Sequence, residues 1–338
     1  MKKSLYLVLC MLLFAYFVGP MESLAASPQQ ESPNEVYERF DLPKLDKDKT
    51  LALEERYKKD IQKLPKQKNI DAAELKQLES SNLKTTSVSS QGNILEEPNA
   101  PKLNSPVEST SPDVTSLDVS PLSADNRVKV TNTTISPYNA MAQISFRDSS
   151  GSWYVCSGSF INETTVLTAA HCVYDSYNDE FFSYWAVSPG QNGTELPYDG
   201  VASTTAYAPL GWMSSNPPDP SSVYFKDVQY DYAVIKIDST HSPKLSLSQN
   251  AGVNDPIISH GYPADKGTGT GYYYLYKSSG KINNISQNTI IHSSSVTGGM
   301  SGGPILNSNS VISVNSTASW GPKFGPSEIY QIYQWMSL

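Results

Sequence analysis

Residues 297–304 read TGGMSGGP, a serine set between two pairs of glycines. Glycines 298 and 299 let the backbone take conformations closed to other residues, so that N–H groups can converge on one point. Ser301 Oγ is then placed to act as a nucleophile, provided a base withdraws its proton. The N–H groups of Gly299 and Ser301 would form the oxyanion hole that stabilises the charge developing on the attacked carbonyl. Alone, the motif is equally an ordinary glycine-rich turn. Two further segments change its weight. VLTAAHCVYD (166–175) puts His171 after a strand and a small-residue turn, followed at once by Cys172. YDYAVIKI (230–237) puts Asp231 at the entrance to an apolar run. A carboxylate that enters the interior needs a partner, and an imidazole N–H is a fitting one. The chain has four histidines, His171, His241, His260 and His292, and only His171 has such a setting. His171 as general base, Asp231 as its orienting partner and Ser301 as nucleophile would together perform acyl transfer.

Short strands must position these groups. AMAQISF, CSGSFI, TTVLTAA, DYAVIKI, PIISHGY, GYYYLYKSSG, TIIHSSS and GPILNSNSVISV are brief, rich in β-branched and aromatic residues, and mostly bounded by Gly, Pro, Asn or Asp. Asn307–Ser310 reads as a hairpin turn. Only EIYQIYQWM at the end has helical spacing, with Tyr330, Tyr333 and Trp335 as candidates for a shared face. The class is all-β with a C-terminal helix.

The catalytic segments occupy the second part of the chain. Residues 1–127 carry 35 charged side chains and residues 128–338 only 23, whereas 28 of the 35 aromatic residues follow Arg127. No aromatic residue lies between Lys58 and Arg127. Such a stretch has little apolar area to offset the entropy of ordering it. LALEERYKKDIQKL and DAAELKQLESS read as short helices within it, and 84–124 as a flexible Ser/Thr/Pro/Asn linker. Two lysines, an apolar run from Leu5 to Val18 and small residues at Ser23–Ala25 define a signal peptide over 1–25. The run is too short to span a bilayer. Residues 26–124 are then a largely disordered propeptide or a spacer that stays attached, and 125–338 the folded domain. Export would leave Cys156 and Cys172, which can bridge in an oxidising exterior or stay as buried thiols. The net charge of −8 argues against a nucleic-acid partner. Asp175, Asp179 and Glu180 in DSYNDE could gather a calcium ion, but the spacing of an EF-hand loop is missing. A solvated loop is the better reading, and no metal or cofactor is expected.

TAAHC, DYAVIKI and GMSGGP together resemble the signature segments of chymotrypsin-like serine proteases, in the same order. Within that group DNRVKVTNTTISPY (125–138), VSPGQNGTELPY (187–198) and GYPADK (261–266) resemble the bacterial secreted glutamyl endopeptidases. The resemblance runs from about Asp125 to the C-terminus. It implies two six-stranded antiparallel β-barrels with the site between them, a Cys156–Cys172 bridge, and a secreted zymogen. Met300 stands where trypsin-like enzymes have an Asp that pairs with a new N-terminal amine, so activation must use another contact or simple unmasking. The junction is expected between about Val114 and Val128. The family pattern also implies a specificity pocket at Ser295, Val296 and Asn315. Relatives place a histidine at the position of Asn315 and a threonine at that of Val296; neither replacement holds a carboxylate as well, and Ser295 is no anchor for Lys or Arg. The expectation is a monomeric secreted endopeptidase that acts on proteins or peptides and prefers a neutral residue before the scissile bond. Matured by another protease, it would have no membrane attachment after signal removal. Alternatives are a Glu/Asp preference, with His292 or Lys281 supplying a cation from elsewhere, or a non-catalytic homologue serving as a binding module.

Overall fold

The structure, a computed structural model, describes residues 36–78 except 69 and 71, and residues 86–96, 124–266 and 273–338. The expected signal peptide and most of the expected processing junction lie outside the described residues. Strands dominate, and they form two large sheets. The first has nine strands and contains Met141–Arg147, Trp153–Phe160, Thr165–Thr168, Tyr184–Pro189, Ala233–Lys236 and Thr205–Pro209. The second runs through Ser310–Val314, Pro304–Asn307, Pro256–Gly261, Tyr276–Ser286, Thr289–His292 and Trp320–Pro322. Pairing is antiparallel throughout the first sheet. In the second the exception is Ser246–Leu247, which lies parallel to Ser310–Val311.

The eight segments expected as strands all contain strands, within a few residues of the expected bounds. The sequence reading missed Tyr184–Pro189, Val201–Ser203 and Thr205–Pro209, whose proline and glycine surroundings resemble loops. The second sheet buries a core of Ile257, Ile282, Ile290, Ile305 and Ile312. Isoleucine suits this place because its branched Cβ packs well on a pleated surface.

The terminal helix Pro326–Ser337 opens with Pro326 and with Glu328 accepting from the Gly325 N–H at 3.0 Å. Its buried residues are Ser327, Glu328, Gln331, Ile332 and Trp335, while Tyr333 is exposed. The tyrosine face expected from spacing is therefore only partly right. Trp335 and Ile332 take the interior, and Gln331 joins them because its Oε1 accepts from Tyr232 Oη at 2.6 Å. Among the described residues no helix is long and apolar enough to cross a membrane.

The segment before residue 97 differs most from its composition. Lys47–Ile61 is a helix capped by Asp46, whose carboxylate accepts from the Lys49 N–H at 2.9 Å. A second helix covers Ala72–Leu78. Both were expected, with shifted ends. Residues 86–96, expected within a flexible linker, instead form a hairpin of Thr86–Ser89 and Ile94–Glu96. That hairpin extends the first sheet by pairing with Thr205–Pro209. It needs no aromatic residues because it borrows a finished core: Ser87, Val88 and Ser89 are fully buried against the sheet. Their hydroxyls are bonded, Ser87 Oγ accepting from Trp335 Nε1 at 2.9 Å and Ser89 Oγ from the Asn93 N–H at 3.0 Å. Small polar side chains can be buried when each finds a partner.

Candidate active site

His171 sits in a single 3-10 turn, Ala170–Cys172, directly after the strand Thr165–Thr168. The turn is fixed by the Cys156–Cys172 disulfide and by Trp185 Nε1, which donates to the Cys172 carbonyl at 2.9 Å. The two cysteines therefore bridge. Asp231 ends a 3-10 turn over Phe225–Tyr230 and is completely buried. Its Oδ1 accepts from the His171 backbone N–H at 2.9 Å, and its Oδ2 lies 2.7 Å from His171 Nδ1. Ser316 Oγ donates to the same Oδ2 at 2.6 Å. A buried carboxylate demands such partners, and here three donors surround it. Because the carboxylate only accepts, the neutral ring carries its proton on Nδ1, which leaves the Nε2 lone pair free to take another. Nε2 is buried and makes no hydrogen bond among the described residues.

Ser301 lies in the loop between the second sheet's strands and is nearly buried. Left-handed backbone at Gly299, φ +89°, and at Gly302, φ +76°, brackets it. A Cβ on Gly302 would strike Thr168 Oγ1 and the Ser157 carbonyl, and one on Gly299 would lie 2.5 Å from the Tyr262 carbonyl. Only glycine fits either place. The loop is bolted to both sheets. Ser157 N–H donates to the Ser301 carbonyl at 2.7 Å, Ser157 Oγ to the Gly299 carbonyl at 2.7 Å, and Gly302 N–H to the Asn315 carbonyl at 2.8 Å. Ala264 N–H donates to the Gly298 carbonyl at 2.9 Å. Across the planar trans peptide the Gly299 N–H then points away from Ala264.

Of the residues expected to line a specificity pocket, Asn315 has its amide committed elsewhere, while Ser295 and Val296 are partly exposed. Asn315 is fully buried, and its Nδ2 donates to the carbonyls of His260 at 2.9 Å and Met300 at 3.1 Å. Both amide hydrogens are thus spent on backbone. Ser295 Oγ accepts from the Asn126 N–H at 3.4 Å, and Ser295 N–H donates to Ser278 Oγ at 2.7 Å. Val296 offers no polar side-chain atom. Burial holds His292 and His260 well below the usual histidine range, both at about 4, so neither ring is a cation at neutral pH.

One component escaped the sequence reading. The segment ahead of Asp46 runs through the site. Tyr37–Arg39 pairs antiparallel with Ser222–Tyr224, and the Phe40 N–H donates to the Ser221 carbonyl at 2.9 Å. The Phe40 ring then stacks on His171, centroids 4.1 Å apart and planes 13° apart. The Asp41 side chain lies against Gly298. Beyond it the Val155 N–H donates to the Pro43 carbonyl at 3.1 Å and the Leu45 N–H to the Trp153 carbonyl at 2.7 Å. Ser316 also went unremarked; nothing in VNSTAS separates it from an ordinary polar strand end.

Two sheets, a histidine–aspartate pair and a serine in a glycine-bracketed loop define a class, and the comparisons agree. The chain belongs to the trypsin family, whose family model matches residues 128–336. It is 34% identical over 194 residues to the glutamyl endopeptidase of Bacillus licheniformis, a match covering 56% of this chain and 55% of that protein. It is 32% identical over 158 residues to a Bacillus subtilis protein named extracellular metalloprotease, covering 44% and 46%. The glutamyl endopeptidase of Staphylococcus aureus strain MRSA252 is 26% identical over 210 residues, covering 58% and 51%. The chain spans about half the length of the relatives it matches. Among solved structures, a Glu endopeptidase in complex with MPD superimposes with TM-score 0.57 at 27% identity, covering 64% of this chain and 99% of that one. The protease Anisep from Arthrobacter nicotinovorans shares the fold, with TM-score 0.51 at 24% identity over 63% of this chain and 100% of that one. Among the described residues one group has the proximity of metal ligands, Cys156, His171 and Cys172. Its two cysteines are joined as a disulfide, so they offer no thiolates.

Proposed function

We propose that this chain is a secreted serine endopeptidase that hydrolyses proteins or peptides, made as a zymogen and active as a monomer. Its plan is a signal peptide over 1–25, a propeptide over 26–124 that another protease removes, and a protease domain over 125–338. The observation that carries the reading is the buried pair of His171 Nδ1 and Asp231 Oδ2 at 2.7 Å, which leaves Nε2 as a base. His171 Nε2 takes the Ser301 Oγ proton as Oγ bonds to the carbonyl carbon. The carbonyl oxygen becomes an oxyanion held by the N–H groups of Gly299 and Ser301. The imidazolium then returns the proton to the leaving amine as the C–N bond breaks. Water repeats the sequence on the acyl-enzyme and frees Ser301.

For the residue before the scissile bond, the tied amide of Asn315 and the neutral state of His292 support a neutral preference. The glutamyl endopeptidase relatives favour the alternative of Glu or Asp. The test is a fluorophosphonate probe followed by a peptide library read by mass spectrometry. The processed protein should label at Ser301, and Ser301→Ala should lose labelling and about 10⁴-fold or more of its peptidase rate. A processed, folded protein that ignores the probe would sink the protease reading. Cleavage confined to Glu-X bonds would sink the neutral preference.

A further inference from the structure

We propose that Val36–Leu45 occupies the cleft as an internal peptide ligand, and that its contacts mark two substrate subsites: a hydroxyl pair, Thr317 and Ser319, for an acidic side chain, and the face of His171 for an aromatic side chain two residues later. The proposal rests on the serine-protease reading and adds to it a block and a substrate class.

The segment is held like a bound strand. It bonds through its backbone to Ser221–Phe225 on one side and to Trp153–Val155 on the other, and passes His171 and Gly298 between them. Extended peptides bind proteins in this way, with backbone pairing supplying affinity and alternate side chains supplying specificity. Those side chains have particular receptors. Glu38 Oε2 accepts from Thr317 Oγ1, and Glu38 Oε1 from Ser319 Oγ at 2.9 Å. Thr317 and Ser319 lie one and three residues after Ser316, which bonds Asp231. The acidic subsite is therefore built on the same loop, between the strands Ser310–Val314 and Trp320–Pro322, as the Ser316 that bonds Asp231. Phe40 is 5% exposed and covers a His171 ring that is itself 2% exposed. Beside it remains a cavity of about 320 Å³ bordered by Phe40, His171, Tyr174 and Trp212 among others. With Phe40 in place no second peptide can lie across the imidazole. Met300 offers no charge for a new N-terminus, and displacing this segment supplies the unmasking that activation needs.

The experiment measures second-order fluorophosphonate labelling of the full chain, beside the same chain after limited proteolysis. The full chain should label at least ~10-fold more slowly than the cleaved one. Phe40→Ala removes a buried ring and Glu38→Ala removes two hydrogen bonds from a half-buried carboxyl, so each should speed labelling of the full chain about 10-fold. Thr317→Val removes one of those two bonds and should speed labelling by less than Glu38→Ala; the double variant should label no faster than Glu38→Ala alone, because that change already removes the bond Thr317 makes. Near-UV circular dichroism selects the folded variants; Glu38→Ala, at a half-buried side chain, keeps the test open where Phe40→Ala fails to fold. A full chain that labels as fast as the cleaved form overturns the block and leaves the protease reading intact. No labelling of either form overturns the protease reading. Additive effects of Glu38→Ala and Thr317→Val overturn the acidic subsite. In the cleaved protein, Thr317→Val should lower the peptide-library preference for Glu two positions before an aromatic residue; an unchanged preference overturns that part.

Discussion

At the scale of single residues the site depends on how one carboxylate is satisfied. Asp231 is completely buried and receives the His171 N–H, His171 Nδ1 and Ser316 Oγ. Removing the third donor leaves the triad in place but loosens the acceptor that orients it. A hydrogen bond to a charged group contributes about 1.5–3 kcal/mol. Ser316→Ala should therefore lower kcat/KM of the processed enzyme about 10-fold or more, with KM little changed, because the bond acts on the base and not on substrate. Steady-state kinetics on one peptide checks this; a fall carried by KM alone would assign Ser316 to binding. The same scale shows what the sequence left out. His171, Asp231 and Ser301 stand in distinctive segments, so their type and order could be read. Ser316 is one hydroxyl in a polar strand end, and only the fold brings it to Asp231. Asn315 was legible as a residue without charge, but its commitment to the His260 and Met300 carbonyls is visible only in three dimensions.

At the scale of elements, periodicity located the strands that carry their own apolar signal, Met141–Arg147 and Ser310–Val314 among them. It failed where the signal belongs to a neighbour. The hairpin of Thr86–Ser89 and Ile94–Glu96 has few apolar residues, yet it completes the edge of a sheet whose core is already formed. Burial in such a strand is supplied by the partner, and composition of the strand alone cannot report it. This arrangement has a measurable consequence. Ser87 Oγ accepts from the buried Trp335 Nε1 at 2.9 Å and so ties the hairpin to the terminal helix. Ser87→Ala would leave that indole N–H unpaired, which costs about 1–3 kcal/mol. The uncleaved chain should lose this much stability in urea denaturation. The protein from which residues 26–124 have been removed lacks Ser87, and its denaturation midpoint should be the same whichever precursor it came from. An unchanged midpoint for the uncleaved variant would show that water or repacking replaces the bond.

At the scale of the whole molecule, the contact between the Val36–Leu45 segment and the loop carrying Thr317 and Ser319 includes a group that titrates. Burial raises the Glu38 pKa above its ordinary 4.5, and the hydrogen bonds from Thr317 and Ser319 oppose this without cancelling it. A carboxyl whose pKa is higher when docked than when free takes up a proton on docking. Its favourable contribution is thus complete below the free value and is lost as pH rises through the docked one. Docking should be firmer near pH 4.5 than at pH 7. The charged neighbours do not reverse the sign. Hydrogen bonds from Ser222 and Ser221 hold Asp219 below its usual range, so it stays ionised across this window with Arg39 as its partner. His171 stacks on Phe40 in wild type and variant alike, so whatever it contributes cancels in a comparison. Hydrogen exchange at the Phe40 and Phe225 amides, which bond to the Ser221 and Val36 carbonyls, reports docking directly. Corrected for intrinsic rates, their protection should rise as pH falls from 7 to 4.5 in the uncleaved Ser301→Ala protein, chosen to prevent self-cleavage. Glu38→Gln in that background keeps an acceptor for the hydroxyls but cannot titrate, so its protection should change less over the same range. Equal slopes in the two proteins would mean that Glu38 is not the sensor, whatever else holds the segment in place.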